Sequence, residues 1–525
     1  MTFKWLKWLR VIISLGFLLL ITFVFIDFSG TITPKWYNGI LYFQFVPSLL
    51  KFLHLLGIMA TGFIIVLLLT ILFGRIYCST LCPLGVFQDI FNFVAGKFKK
   101  RKQLNKFARP HNWLRYAILG VVIVSLILGQ IFLVNLLDPY SIYEKISANL
   151  FRPVYYLSNN MVVFFLEKME NYTLYHADLK NIGWFTFAIA LFMFLLIGFM
   201  AATRGRLFCN TLCPVGTFLG YISKFSVFKI KLDKVSCTSC GICGYACKAD
   251  CIDTKNKEVD FSRCVGCLNC LTVCPAGGVE YKFNWVKSKP ENDRGETYNN
   301  RREFLKKSAF IPTGLGLIAK QAYSEGKNNG KKPVIKEYPV IPPGAMTIDH
   351  FVDACTACQL CVSACPTQVL QPSFLQYGLR GMMQPTMDYH TNYCNFECVL
   401  CADVCPTGAI QPIAVEDKKL TQLGKAKFIK ENCVVYTDET ACGACSEHCP
   451  TKAVNMVPYF SLKKDNLTIP EVEDKICIGC GACEYACPTD PKSIYVDGNP
   501  EHVFAEKPQE KKLEESKQTI EDFPF

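Results

Sequence analysis

Apolar residues fall into two regimes along this chain. Up to about residue 225 they run in long blocks; beyond it they come in short pieces between polar, cysteine-rich segments. Four blocks, 8–28, 52–73, 114–137 and 182–202, each have the ~20 residues a helix needs to cross ~30 Å of hydrocarbon. A fifth, 153–166, is shorter and carries Asn159 and Asn160, which predicts an interfacial or buried helix. The pattern predicts an α-helical membrane domain of four transmembrane helices over 1–225. Later β-prone pieces, Ala409-Ile410, Ala453-Val454 and Ser493 to Val496, predict small hairpins of α+β ferredoxin-like modules.

An internal repeat sits on the helical frame. Residues 74–87 read GRIYCSTLCPLGVF and residues 205–218 read GRLFCNTLCPVGTF, identical at nine of fourteen positions. Each copy follows the second span of a pair, so two helices and one loop form a unit used twice. Proline after the second cysteine starts a short helix or turn. Gly85 and Gly216 permit close backbone approach. A pseudo-twofold axis would bring Cys78, Cys82, Cys209 and Cys213 together as a redox or metal site; small buried side chains are the plain alternative.

Charge fixes an orientation. The net charge is +12. Lys97, Lys99, Lys100, Arg101, Lys102, Lys106, Arg109 and Arg115 crowd one loop, Lys4, Lys7 and Arg10 precede the first span, and Arg204 and Arg206 follow the fourth. The positive-inside rule puts all three segments in the cytoplasm. The basic residues thereby have a home beside the membrane, and nucleic acid is not called for. No cleavable secretory signal is expected at the start, because no small-residue cleavage site follows the first apolar block.

The chain has 29 cysteines, most in C-x2-C-x2-C-x3-C runs. That spacing is too tight for unstrained disulfides and suits [4Fe–4S] ligation, whereas zinc favours separated pairs. In two-cluster modules the triplet serves one cluster and the last cysteine the other. Cys237, Cys240 and Cys243 are therefore expected with Cys274, and Cys247 with Cys264, Cys267 and Cys270, in a cytoplasmic two-cluster domain over 226–285. Lys248 stands where proline is usual. Cys251 follows, as a spare thiol or an alternative ligand. Four further runs lie in a domain over 326–504: Cys355, Cys358, Cys361, Cys365; Cys394, Cys398, Cys401, Cys405; Cys433, Cys442, Cys445, Cys449; and Cys477, Cys480, Cys483, Cys487. These imply four more clusters, about six in all, with the partnering of runs open. Residues 326–344 are Gly-, Lys- and Pro-rich and read as a linker; 505–525 read as a disordered tail.

Between the two cysteine-rich regions, 286–325 form a linker containing Asn300-Arg301-Arg302-Glu303-Phe304-Leu305-Lys306 and an apolar run from Ser308 to Ala319. This resembles a twin-arginine export signal, the address of a translocase that carries folded, cofactor-loaded domains.

Taken together, residues 1–290 resemble NapH, with its spans, two C-x3-C-P loops and two-cluster module. Residues 300–500 resemble NapG, with its leader and four cluster motifs; the loops are also shared with the NosR and CcoG families. The resemblance implies a multi-pass protein of the bacterial inner membrane with its second module in the periplasm. It implies a quinol dehydrogenase or electron-transfer component of anaerobic respiration, without an independent catalytic site, linking the quinol pool to a periplasmic nitrate or nitrous oxide reductase. The alternative is a redox-sensing or metal-assembly protein for such a reductase. For quinol chemistry, Lys51, His54 and Asp138 are candidates at helix ends, against the plain reading of snorkelling or interfacial side chains. Bound haem is not expected, since no C-x-x-C-H occurs.

Overall fold

The computed structural model describes residues 4–27, 33–55, 61–98, 107, 109–177, 183–283, 331–459 and 466–507. Arg301, Arg302 and the segment around them lie outside the described residues.

The helical part opens with α1 (Lys4–Ile26), α2 (Pro34–Leu41), α3 (Phe45–Leu55) and α4 (Gly62–Phe73). The first C-x3-C-P loop holds α5 (Tyr77–Thr80) and leads into α6 (Pro83–Phe98). Next come α7 (Asn112–Ile127), α8 (Phe132–Leu137), α9 (Pro139–Ile146), a π-helical turn Ser147–Phe151 and α10 (Arg152–Lys168). Helix α11 (Trp184–Arg204) leads into the second loop with α12 (Leu207–Thr211), and α13 (Pro214–Ser223) closes the set.

Two of the four expected spans are single long apolar helices: Trp5–Ile26 and Trp184–Arg204, with mean hydropathy 2.6 and 2.5. Only 33% and 28% of their apolar stretches are buried, so most of that surface faces outward, unlike a soluble core helix. The other two expectations are corrected in detail. The second block is divided between α3 and α4. The third is broken: α7 stops at Ile127, Gly129 turns the chain at φ +71°, and the Asp138 carboxylate caps α9 by accepting from the Ser141 N–H at 2.9 Å, with Pro139 at the first helical position. The fifth block forms α10, which is not buried: Leu157, Met161 and Phe165 are exposed.

The first ferredoxin module begins at β1 (Phe228–Leu232), followed by α14 (Ile242–Tyr245), β2 (Ile252–Asp253), β3 (Glu258–Val259), α15 (Asn269–Val273) and β4 (Val279–Phe283). Strands β1 and β4 pair antiparallel, as do β2 and β3.

The second module contains α16 (Ile348–Ala354), α17 (Leu360–Ala364), β5 (Leu370–Pro372), β6 (Pro385–Met387), α18 (Leu400–Val404), α19 (Val415–Leu420) and β7 (Thr421–Phe428). It continues with α20 (Val434–Thr437), α21 (Ala444–Glu447), β8 (Val454–Tyr459), β9 (Leu467–Val472), α22 (Ala482–Ala486) and β10 (Ile494–Phe504). The antiparallel pairs are β5 with β6, β7 with β10, and β8 with β9. The stretch 331–344, expected as linker, is instead a strap on this module. Its Lys332 N–H donates to Asn432 Oδ1 at 2.8 Å, Glu337 N–H donates to Asp497, and Val340 and Ile341 are buried. The expected tail also starts later, since the Ala505 and Glu506 N–H groups donate to Leu420 and Lys475 carbonyls; 508–525 lie outside the described residues.

The two modules pack at opposite ends of α1. Near its start, Arg10 pairs with Asp89, which also holds Lys248 of the first module. Near its end, the Thr22 hydroxyl meets Tyr143 at 2.5 Å, and the following π-turn and α10 bond the second module through Asn149 to Gln359 and Arg152 to Ser363. The 23 residues of α1 correspond to about 34 Å.

Candidate iron–sulfur centres

Every regular triplet curls in one way. The residues flanking its middle cysteine sit at positive φ: Ser239 and Gly241, Gly266 and Leu268, Ala357 and Gln359, Gly479 and Gly481. Side chains such as Leu268 (φ +60°) and Gln359 (φ +64°) are rarely held there. A loop that must aim three thiols at one object justifies that strain. The third residue after the last cysteine repeats the feature in five of the six runs: Asp250, Gly277, Gln368, Gly408 and Lys452.

The folding brings the thiols into groups. Cys243 lies in the electrostatic field of Cys237, Cys240 and Cys274. Cys270 lies in that of Cys264, Cys267 and Cys247. In the second module Cys355, Cys358 and Cys361 gather with Cys405, and Cys394, Cys398 and Cys401 with Cys365. Cys433, Cys442 and Cys445 gather with Cys487, and Cys477, Cys480 and Cys483 with Cys449. The partnering that the sequence left open is thus first run with second and third with fourth. Each group supplies four thiols, none of them in a disulfide, which is the donor set a [4Fe–4S] cluster takes. Cys251 stands 3.5 Å from Cys247, sulfur to sulfur, and its hydrogen bond favours the Cys247 thiolate.

The groups also fall in sequence. Cys270 feels Cys243, tying the two groups of the first module together. In the second, Cys361 feels Cys401, Cys480 feels Cys394, and Cys483 feels Cys445. The Cys355 group is the one beside the helices, where Ser141 donates to the Thr356 carbonyl at 2.8 Å.

The C-x3-C-P loops meet across a pseudo-twofold axis. Arg75 donates to the Cys209 carbonyl at 3.2 Å, and Arg206 donates in return to the Cys78 carbonyl. A Cβ on Gly85 would strike the Cys78 carbonyl, and one on Gly216 would lie 2.5 Å from the Cys209 carbonyl, so both glycines are required by close approach. The four thiols are buried and close together: Cys82 lies within electrostatic reach of Cys78 and Cys209, and Cys213 within reach of all three. Gln88 Nε2 donates to the Cys209 sulfur at 3.2 Å, and the Gly216 N–H to the Cys213 sulfur at 3.2 Å. Arg75 Nη2 lies 4.0 Å from the Cys78 sulfur. Arg206 pairs with Asp89 at 2.9 Å, but Arg75, fully buried, has no carboxylate partner among the described residues.

Lys248, the irregular residue in the first module, also finds its reason here. Its Nζ pairs with Asp89 at 3.1 Å and its carbonyl accepts from the Arg206 N–H at 2.9 Å. Arg10, Arg115 and Arg206, read from sequence as orientation markers, are buried anchors as well; Arg115 donates to the Ser262 carbonyl at 2.9 Å.

Of the three quinol candidates, Asp138 is the buried cap of α9. Burial pushes its carboxyl up to about 7 against the pull of the Ser141 and Tyr140 N–H groups and of Lys145. Burial likewise brings Lys145 down to about 8, opposed by Asp138, Cys358 and Cys355. His54 packs edge-on against His350 of the second module, centroids 5.5 Å apart. Lys51 lines a cavity of about 570 Å³ at the seam with the second module. The sequence offered no sign of Tyr77, which is fully buried between the four-thiol site and Asp138 and lies in the field of both.

Comparison with known proteins places the chain. A family profile described as a 4Fe-4S binding domain matches residues 55–101 and 185–233, segments whose cysteines are those of the C-x3-C-P loops. Two profiles described as 4Fe-4S dicluster domains match 354–409 and 440–490, and 260–369. The methylamine utilization ferredoxin-type protein MauM of Methylorubrum extorquens is 31% identical over 204 residues, 38% of this chain and 88% of the relative. Ferredoxin-type protein NapF of Escherichia coli is 29% identical over 148 residues, covering 28% of this chain and 79% of the relative. The putative electron transport protein YccM of Escherichia coli is 25% identical over 213 residues, covering 40% and 51%. No solved structure matches.

Proposed function

Since the chain belongs to the ferredoxin-type 4Fe-4S electron-transport proteins, we propose that it passes electrons between the quinol pool and a periplasmic reductase of the nitrate or nitrous oxide type. A [4Fe–4S] cluster, when bound, exchanges one electron at a time. The six thiol groups described above would hold these clusters, with Cys247 and Cys274, Cys365 and Cys405, and Cys449 and Cys487 each crossing to the neighbouring group. The single observation carrying this reading is the serial placement of the thiol groups within each module, with the two modules at opposite ends of α1.

Cys78, Cys82, Cys209 and Cys213 extend the series as a further thiolate site between the modules. A buried guanidinium without a carboxylate is costly unless another negative group answers it. Arg75 is such a group, and thiolates binding a metal centre would supply the charge. Tyr77, Asp138 and Lys145 fill the space from this site to Cys355 and Cys358.

Four spans, with the first module inside and the second outside, would account for the outward apolar surface of α1, α4, α7 and α11. Arg301 and Arg302 would direct export of the second module through the twin-arginine translocase, a need that follows from its seat at the far end of α1. A reporter fused after residue 510 should be active in the periplasm. R301K with R302K should trap that reporter inside, and an unchanged location would reject the signal. For the centres, the test is iron, zinc and acid-labile sulfide analysis with electron spin resonance on the anaerobic full-length protein. Iron for at least six cubanes is expected, and the C82A/C213A pair should lose one centre's worth. Far less iron, or zinc in its place, would reject the reading.

A further inference from the structure

Helices α2 and α3 and the loop after Cys405 enclose the cavity of about 570 Å³, which Lys35, Asn38, Gly39, Tyr42, Lys51 and Pro406 line. This volume lies within the range of small-molecule sites, which pair mostly apolar walls with a few placed polar groups. Its polar groups are arranged rather than scattered. Lys51 Nζ donates to Asn38 Oδ1 at 3.3 Å, and Asn38 Nδ2 donates to the Asp403 carbonyl at 3.2 Å, tying the cavity wall to the second module. The Tyr42 hydroxyl meets Thr61 at 2.6 Å. Lys51 also lies in the field of Cys405, the thiol that crosses to the Cys355 group, and Pro406 forms part of the wall. The cavity therefore abuts the group of the second module that sits nearest the helices. On the same helices Trp36 and Leu53 stand exposed, giving an apolar approach for a ligand with a hydrocarbon tail.

We propose that this cavity is a quinol site, with the headgroup oxygens held by Lys51 and Tyr42 and the tail leaving along α2 and α3. The proposal deepens the function given above and rests on it. One quinol yields one quinone, two protons and two electrons. Cys355, Cys358, Cys361 and Cys405 would hold the [4Fe–4S] cluster that, when bound, would accept the two electrons one at a time. The protons pass to water at the seam with the second module. A substrate placed here feeds the outer series of groups directly.

Gly39 offers a clean test, because it lines the cavity and a Cβ built there meets nothing within 4 Å, so a larger side chain can be added to the wall without displacing backbone. Full-length protein in detergent is mixed anaerobically with decylubiquinol or menadiol, and bleaching of the iron–sulfur absorbance is followed. Binding of decylubiquinone is measured separately by calorimetry. G39F should slow quinol-driven bleaching at least tenfold and abolish binding. Its iron content and its bleaching by dithionite should stay at the parent level, which reports an intact fold. K51M should weaken binding less than G39F does. If the parent protein reacts with quinol and G39F reacts equally fast, the site is elsewhere and the proposal falls while the electron-transfer reading stands. If the parent reacts with neither quinol, both fall. If G39F loses iron, K51M decides: unchanged quinone binding in K51M overturns the site and weakened binding supports it.

Discussion

Where the first module meets the helices, the contact is ionic and deep. Asp89 takes Arg10, Arg206 and Lys248, and Arg75 and Arg115 both close on the Ser262 carbonyl. Where the second module meets them, the groups are mostly neutral: Ser141 on Thr356, Asn149 on Gln359, Asn38 on Asp403, and the ring of Phe185 against Phe374. Arg152 and Arg380 donate to carbonyls there, but no ion pair crosses that seam among the described residues. Charges are expensive to desolvate one partner at a time, so an ionic seam suits parts that fold together in one compartment. Neutral hydrogen-bonding groups stay solvated cheaply until they meet. That suits a module arriving already folded, as export by the proposed route would require.

The sharpest way to break this contrast is at Asp89. D89A leaves three cations gathered without an acid, and loss of about 3–5 kcal/mol is expected, read as a lowered melting temperature and easier proteolytic release of the first module. A loss under ~1 kcal/mol would mean that the ionic seam does not hold it. The next test concerns acid. Burial brings the His502 imidazole in the second module down to about 4, with the Ile341 backbone opposing. The folded state then binds the proton less well than the unfolded chain, whose histidine titrates near 6.5. The resulting stability is present above pH ~6.5 and is lost as pH falls toward 4, up to roughly 3 kcal/mol. Urea melts of the second module at pH 7 and pH 4.5 should show this loss, and H502F should shrink it.

Smaller effects belong to the neutral seam. N149A removes a partner of Gln359 and should cost about 1 kcal/mol, seen as weaker retention of the second module on the helices. Retention unchanged within error would shift the seam's strength to its rings. Least of all, K332A deletes an exposed pair with Glu431, 62% and 37% accessible, and should change the midpoint by no more than ~0.5 kcal/mol.

Cysteine spacing made the 4Fe-4S modules legible, because a triplet needs no tertiary context to be recognised. The partnering of Cys355 to Cys405 was not legible, since insertions of different length separate the runs and only the folded loops show which last thiol crosses. The four long apolar blocks were visible, but the break at Gly129 was not. An Asp-Pro cap at Asp138 and Pro139 is a helix-start signal that the length of the block concealed. Lys248 read as an irregularity because its reason is Asp89, more than 150 residues earlier. Arg10, Arg115 and Arg206 read as topological charge for the same reason: a buried anchor and a solvated flanking cation look alike until their partners are seen. The cavity beside Pro406 left no trace, being made by two regions more than 350 residues apart in the chain.

The exchange of Arg75 and Arg206 across the axis bears on how the two halves of the helical part hold together. Each copy of the loop donates a guanidinium hydrogen bond to the cysteine carbonyl of the other, the reciprocity of an isologous dimer interface. The two copies thus meet within one chain as the identical surfaces of a symmetric dimer meet between two. Expressed as two polypeptides cut between α6 and α7, the halves would still have the means to find each other.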